Sequence, residues 1–199
     1  MDSATIAAIA TPAGEGGIGV VRISGPDAAG IASQVFRQQR RSGVRVVDLE
    51  TVESHRLLYG TVVDPDTERP VDEVLLAWMA APHTYTREDT VELSCHGGPL
   101  PLRETLRVVL AAGARHAEPG EFTLRAFLNG RLDLTQAEAV LQVIGARTSE
   151  SLRLAVSDLA GDLTRRLAPA NGALISLLAY LDASADFPDD EIDVPDHRD

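Results

Sequence analysis

Two charged residues stand where their neighbours leave them no apolar surface to share. Glu92 lies in TVELS (90–94) between Val91 and Leu93, and Arg22 lies in VVRIS (20–24) between Val21 and Ile23. Alternate side chains of a strand face opposite sides, so each charge points away from its apolar neighbours. A carboxylate placed this way, close to the turn His96-Gly97-Gly98-Pro99, can line a cleft. It can accept two parallel hydrogen bonds from an amidine-like edge such as the 2-aminopyrimidinone of a pterin. Arg22 has a plainer reading as well, as an outward-facing partner of an acid, Glu92 included. A third charge, Arg131, falls at a corner within EPGEFTLRAFLNGRLDLTQAEAV (118–140), with no acid adjacent to it. A guanidinium held there can meet an anionic ligand, or it can cover a helix end.

Other chemistries are excluded by residue type or context. Gly14-Glu15-Gly16-Gly17-Ile18-Gly19 has the G-x-G-x-x-G spacing of a dinucleotide fingerprint. That fingerprint must open a helix so that the pyrophosphate meets helix N–H groups. Here it runs into IGVVRI, a strand, and no acid stands at the ribose-binding distance beyond it. The segment reads as a loop whose glycines permit close backbone approach. Cys95-His96 supplies neither the ligand number nor the spacing of a zinc site. As neighbours on a strand, the two face opposite ways, which works against a thiol–imidazole nucleophile pair. All 18 basic residues are arginines. A P-loop needs a lysine at the terminal phosphates, so these residues cannot form one.

Composition bounds the rest. The 199 residues are 44% hydrophobic, enough for a packed core, and carry a formal net charge of −12. That balance argues against broad wrapping of a nucleic-acid backbone, where affinity comes from neutralising phosphates. The arginines of 37–45 remain a candidate local patch, or a solvated loop. A single cysteine rules out an intramolecular disulfide and fits a reducing compartment. No basic residue precedes the short N-terminal apolar run and no segment reaches membrane-spanning length, so a cytoplasmic location is expected.

These residues need elements to hold them. Residues 4–11 and 18–23 read as strands, and Ser24-Gly25-Pro26-Asp27 opens a helix predicted to run to Arg37. Residues 38–45 read as an exposed loop. His55–Val63 and Val71–Met79, separated by DPDTERP, read as a long hairpin, and TVELS as a further strand. Leu102–Ala114 is an amphipathic helix. The order predicts an α+β domain, with a mixed sheet and helices on one face.

The corner segment reads as two helices. Pro119 suits a first turn, Asn129-Gly130 a stop, and Asp133 or Thr135 a cap, with Thr135-x-x-Glu138 at capping-box spacing. Beyond Leu134, apolar residues recur at helical spacing, with a kink or break expected at Pro169. Two helical arms bury such a stripe poorly alone, so the pattern reads as part of a bundle wanting further helices. The segment from Asp182 to Asp199 is acidic and reads as solvated; a chain stopping there reads as cut short.

Four stretches in order, TIAAIATPAGEGGIGVVRISGP, TYTREDTVELSCHGGP, the 118–140 corner and DFPDDEID, closely resemble the start of the bacterial tRNA modification GTPase family, MnmE or TrmE. The resemblance implies a folate-binding and dimerising domain over 1–117, and the start of a helical domain over 118–199. It implies a formyl- or methylene-tetrahydrofolate ligand touched by Arg22, Glu92 and Arg131; the last is often lysine in the family. It implies a homodimer that works with the flavoprotein MnmG on the wobble uridine (U34) of certain tRNAs, adding a carboxymethylaminomethyl-type group. GTP, Mg and K belong to an inserted GTP-binding domain outside these residues. Two other readings stand beside it: an assembly module without ligand, and an independent folate-dependent one-carbon transferase.

Overall fold

A computed structural model describes residues 4–41 and 43–186. The chain divides into two compact units, Met1–Arg131 and Leu132–Asp199.

The first unit is built on an eight-stranded sheet. Its strands are β1 (Ile6–Ile9), β2 (Ile18–Ser24), β3 (Phe36–Arg40), β4 (Gly43–Val46), β5 (Arg56–Val63), β6 (Pro70–Met79), β7 (Thr90–His96) and β8 (Arg115–His116). They lie in the order β4-β3-β5-β6-β7-β2-β1-β8. Every pairing is antiparallel except β1 with β8, so the sheet is mixed, as the element order predicted. Two helices, α1 (Ala28–Val35) and α2 (Pro99–Ala111), contribute Ile31, Val35, Leu102, Leu106 and Val109 to one core with Val21, Ile23, Leu76, Trp78, Val91 and Leu93. The opposite face of the sheet carries Arg22, Glu92, Leu57, Tyr59 and Leu75, none of them buried.

The helix predicted to reach Arg37 stops at Val35, and the loop predicted over 38–45 is a hairpin of β3 and β4. Tertiary pairing overrides the local pattern here. Phe36 is fully buried opposite Val62, and Gln38 is buried opposite Gly60. Because a glutamine fills an inward position, the period-two signal of a strand is hidden. Gly60 makes the pairing possible: a Cβ there would stand 2.3 Å from the Arg37 carbonyl oxygen.

The glycine loop before β2 leads into a strand, as expected, and its close approach is to the chain itself. Gly16 N–H donates to the Gly97 carbonyl at 2.9 Å, and a Cβ on Gly97 would lie 2.6 Å from the Gly16 oxygen.

The second unit contains α4 (Leu134–Gly145), α5 (Ser149–Leu159) and α6 (Asp162–Asp186), after α3 (Glu121–Leu128) in the first unit. Asp133, rather than Thr135, caps α4. Its carboxylate accepts from Gln136 N–H at 2.8 Å while the Gln136 side chain accepts from Asp133 N–H at 2.9 Å, so the capping box is Asp133/Gln136. The helix α6 runs on through Pro169. Proline costs one intrahelical bond, and the carbonyl it displaces, that of Arg165, lies on an exposed stretch open to water. The apolar stripe of this unit is uncovered: Leu141 and Ile144 are about three-quarters exposed and no residue of α6 is buried. Asp182–Asp186, read from sequence as a solvated segment, continue α6; the rest of that segment lies outside the described residues.

Candidate functional site

β2 and β7 are neighbours, and their register puts Arg22 directly opposite Glu92. The flanking Val21, Ile23, Val91 and Leu93 are fully buried beneath them, which fixes both charges on the other face. Arg22 Nε donates to Glu92 Oε1 at 2.8 Å, and Nη2 stands 2.7 Å from the same oxygen as an ion pair. Glu92 Oε2 takes no hydrogen bond from the described residues. Each side chain keeps about a quarter of its surface exposed. The plain reading of Arg22, a partner for Glu92, therefore holds.

The same guanidinium lies over two rings. Its Cζ is 5.6 Å from the centroid of Tyr85 and 5.6 Å from that of Phe122, within cation–π range. Arg131 lies over the Tyr85 ring as well, at 5.0 Å. Tyr85 thus lies under both Arg131 and Arg22, and Arg22 is in turn paired with Glu92.

The loop carrying Tyr85, between β6 and β7, is pinned on both sides. Thr86 shares a 2.6 Å hydrogen bond with Ser24 of β2, and Thr84 donates to the Glu88 carbonyl at 2.7 Å. Tyr85 Oη meets Thr123 Oγ1 of α3 at 2.9 Å, and Asn129 donates to the Thr86 carbonyl at 2.7 Å. The clamp beneath is Arg125, a buried guanidinium reaching Glu88, Glu121 and the Ala4 carbonyl. These bonds tie α3, the Tyr85 loop and the start of β1 together.

The corner that presents Arg131 is a Schellman motif. Gly130, at φ +70°, donates to the Phe127 carbonyl at 3.0 Å, and Arg131 N–H donates to the Ala126 carbonyl at 2.9 Å. The stop read from Asn129-Gly130 is therefore where the helix ends. Its start differs from the sequence reading: α3 begins at Glu121, after Gly120 at φ +77°, and Pro119 precedes it.

Charge is strongly structured below the cluster. Arg115 forks onto Glu121, which also accepts from Glu118 N–H and Arg125, and its carboxyl is pulled down to about 2. Asp72 accepts from both the backbone N–H and the ring Nδ1 of His96, raising that imidazole above its ordinary value. Burial pushes the Cys95 thiol up to about 11. Cys95 faces the core while His96 is exposed, so the two do not form a nucleophile pair. Among the described residues no group of three or more His, Cys, Asp or Glu could hold a metal ion, and no helix is long and apolar enough to cross a membrane.

Two cavities lie away from this cluster. One of about 540 Å³ is bounded by Asp64, Pro70, Leu100 and Arg107, and one of about 280 Å³ lies under the glycine loop. In the first, Arg107 is already paired with Asp64 and Glu104. The cluster of Arg22, Glu92, Tyr85, Phe122 and Arg131 offers more for recognition: a carboxylate oxygen that takes no hydrogen bond from the described residues, two aromatic rings and an exposed cation.

Sequence reasoning did not single out Tyr85, Phe122, Glu88 or Arg125. A signal existed for Arg125, four residues after Glu121 in a helix and thus on the same face. Tyr85 carries no periodic signal, because loop contacts alone place it.

Residues 5–131 match the family model described as GTP-binding protein TrmE N-terminus, and residues 134–199 match that of the MnmE helical domain. The chain is 55% identical over 192 residues to the tRNA modification GTPase MnmE of Heliobacterium modesticaldum, covering 96% of this chain and 40% of that protein. It is 57% identical over 189 residues to the protein of the same name from Chloroflexus aurantiacus, covering 95% and 40% respectively. With the one from Natranaerobius thermophilus the identity is 46% over 198 residues, all of this chain and 42% of the relative. The chain spans about 40% of the length of these relatives.

Proposed function

We infer a function from one premise: this chain belongs to the tRNA modification GTPase family MnmE, as its N-terminal and helical domains. On that premise, the first unit binds a reduced folate, formyl- or methylene-tetrahydrofolate, as a one-carbon donor. Glu92 accepts the pterin's amidine-like edge, while Arg131 and Arg22 attract the anionic tail. The observation that supports this reading is Glu92, whose Oε2 takes no hydrogen bond from the described residues, paired to Arg22, whose guanidinium lies over the Tyr85 and Phe122 rings, with Arg131 over Tyr85 as well.

The larger assembly follows the same premise. The chain pairs with a second copy and works with the flavoprotein MnmG in the cytoplasm. Together they add a carboxymethylaminomethyl-type group at U34 of certain tRNAs. GTP with its Mg and K is bound by a domain outside these residues. Pairing is supported by the uncovered sheet face, where Leu57, Tyr59 and Leu75 stay 68%, 47% and 45% exposed and Tyr59 stands opposite Leu75.

Titration calorimetry with 5-formyltetrahydrofolate tests the site. Binding by the wild type, lost or weakened at least about tenfold in Glu92→Gln and in Arg131→Ala, is expected. Indifference to both substitutions would remove the assignment. The sheet face favours one second reading, an assembly module without ligand. Sedimentation with and without folate separates the two, since a dimer that never takes up folate supports the second.

A further inference from the structure

We propose that the β3–β4 hairpin is an RNA contact: Arg40, Arg41 and Arg45 bind the phosphate backbone of the tRNA directly. The proposal rests on the tRNA reading above and adds a surface that reading does not use.

The hairpin is a basic spot on an acidic chain. From Phe36 to Val47 the sequence holds Arg37, Arg40, Arg41 and Arg45 and no acid, while the whole chain carries −12. Many arginines of the first unit are neutralised where they stand: Arg22, Arg37, Arg56, Arg107, Arg115 and Arg125 each pair with an acid. Arg40, Arg41 and Arg45 are exposed and form no ion pair among the described residues. Neighbouring acids are engaged elsewhere. Glu68 is paired with Arg37, and Asp48 accepts from Glu50 N–H to cap the turn after β4.

The charges are aimed as well as unpaired. The register sets Arg40 opposite Gly43 and Arg45 opposite Gln38, so Arg40 and Arg45 are diagonal neighbours on one face. Such neighbours stand about 7–8 Å apart at Cα, within reach of adjacent phosphates of one strand. Gln38, 8% exposed, accepts from Arg40 Nε at 2.8 Å. A buried neutral amide thus orients the guanidinium without cancelling its charge, and leaves both Nη groups to fork onto a phosphate. Arg41 continues the row into the turn. β4 ends the strand order, so one side of its backbone faces no strand, and a Cβ on Gly43 would meet nothing within 4 Å. A phosphate can approach backbone N–H groups there as well as side chains.

The face fits a polyanion better than an acidic protein. A protein interface adds an apolar centre to its charged rim. Val44 and Val46 stand on the other face, opposite Gln39 and Arg37, so the Arg40–Arg45 face offers charge without an apolar centre. Backbone contacts that position an RNA without reading its sequence use that chemistry. Contact with a few phosphates also agrees with a net charge that forbids wrapping.

The test is fluorescence anisotropy of a labelled, unmodified tRNA transcript carrying U34, titrated with this chain between about 50 and 200 mM salt. Wild type is expected to bind with log Kd rising against log salt at a slope of about 2–3. Arg40→Ala, Arg41→Ala and Arg45→Ala each weaken binding severalfold and lower the slope by about 1, and the triple substitution abolishes binding. Arg45→Lys keeps the charge and the slope. Arg103→Ala, which removes an exposed arginine of α2, leaves affinity and slope unchanged. Melting curves confirm that each variant is folded. Equal losses in Arg103→Ala and Arg45→Ala overturn the proposal, because net charge alone would then matter. A triple variant that binds like wild type overturns it as well. Poly-glutamate that displaces the tRNA as effectively as unlabelled tRNA, at equal charge concentration, overturns it in favour of an acidic protein partner. A wild type that binds no tRNA at the lowest salt also overturns it. The tRNA-modification reading is measured separately, as U34 modification by a full-length member of the family with MnmG, and can stand or fall on its own.

Discussion

Arg22 and Glu92 face each other across β2 and β7, and the guanidinium Nε and Nη2 both lie against the same carboxylate oxygen. The arrangement neutralises the carboxylate and orients it, while its other oxygen takes no hydrogen bond from the described residues. Both groups are partly exposed, so the pair's coupling is modest. A double-mutant cycle of Arg22→Ala and Glu92→Ala, followed by urea unfolding, is expected to give about 1 kcal/mol of interaction. Additive single effects would show that the pair does not hold in solution.

Glu121 gives the first unit an acid-sensitive joint. Arg115 is the main cause of its depressed value, about 2 against an ordinary 4.5, with Glu118 N–H and Arg125 adding to it. A carboxyl lowered in the folded state stabilises it above the unfolded value and ceases to do so as pH falls toward the folded one. Glu121→Gln is therefore expected to lose roughly 2–3 kcal/mol at pH 6–7, with the deficit shrinking between pH 4.5 and pH 2. Urea unfolding across that range checks it; a deficit that stays constant with pH contradicts the assignment.

Cys95 is expected to be inert while the chain is folded. With the thiol pushed up to about 11 by burial, only about 0.1% is thiolate at pH 8. Labelling by a disulfide reagent at pH 8 should run at least about 100-fold slower than for an unfolded control. Labelling at comparable rates would place Cys95 at the surface.

Gly97→Ala tests the seat of the glycine loop. The added methyl would meet backbone, the Gly16 carbonyl at 2.6 Å, rather than a side chain that can move aside. A loss of about 1–3 kcal/mol in urea unfolding is expected. Gly30→Ala, where a Cβ meets nothing within 4 Å, is the matched control on a helix and should not destabilise. Equal effects at the two positions would contradict the close approach.

The sequence disclosed the sheet strands wherever apolar residues alternate, and Arg22 and Glu92 stood out because apolar neighbours flank them, which the fold buries fully. It hid the β3–β4 hairpin, because Gln38 fills an inward position that pattern reading expects to be apolar. It pointed to Arg131 through Asn129-Gly130, whose left-handed glycine does close the helix. Tyr85 and Phe122 stayed out of sight for different reasons. Tyr85 is placed by hydrogen bonds from residues far along the chain, and Phe122 reads as one more apolar residue of an amphipathic helix. Pairing across 70 residues, as between Arg22 and Glu92, is legible only when strand order is known.

The most direct measurement is a crystal structure of this chain with 5-formyltetrahydrofolate bound. The account predicts the pterin against Glu92, with Arg22 and Arg131 toward the ligand's anionic end. Ligand density in the cavity between Asp64 and Arg107, or under the glycine loop, with the Arg22–Glu92 pair undisturbed, would contradict it.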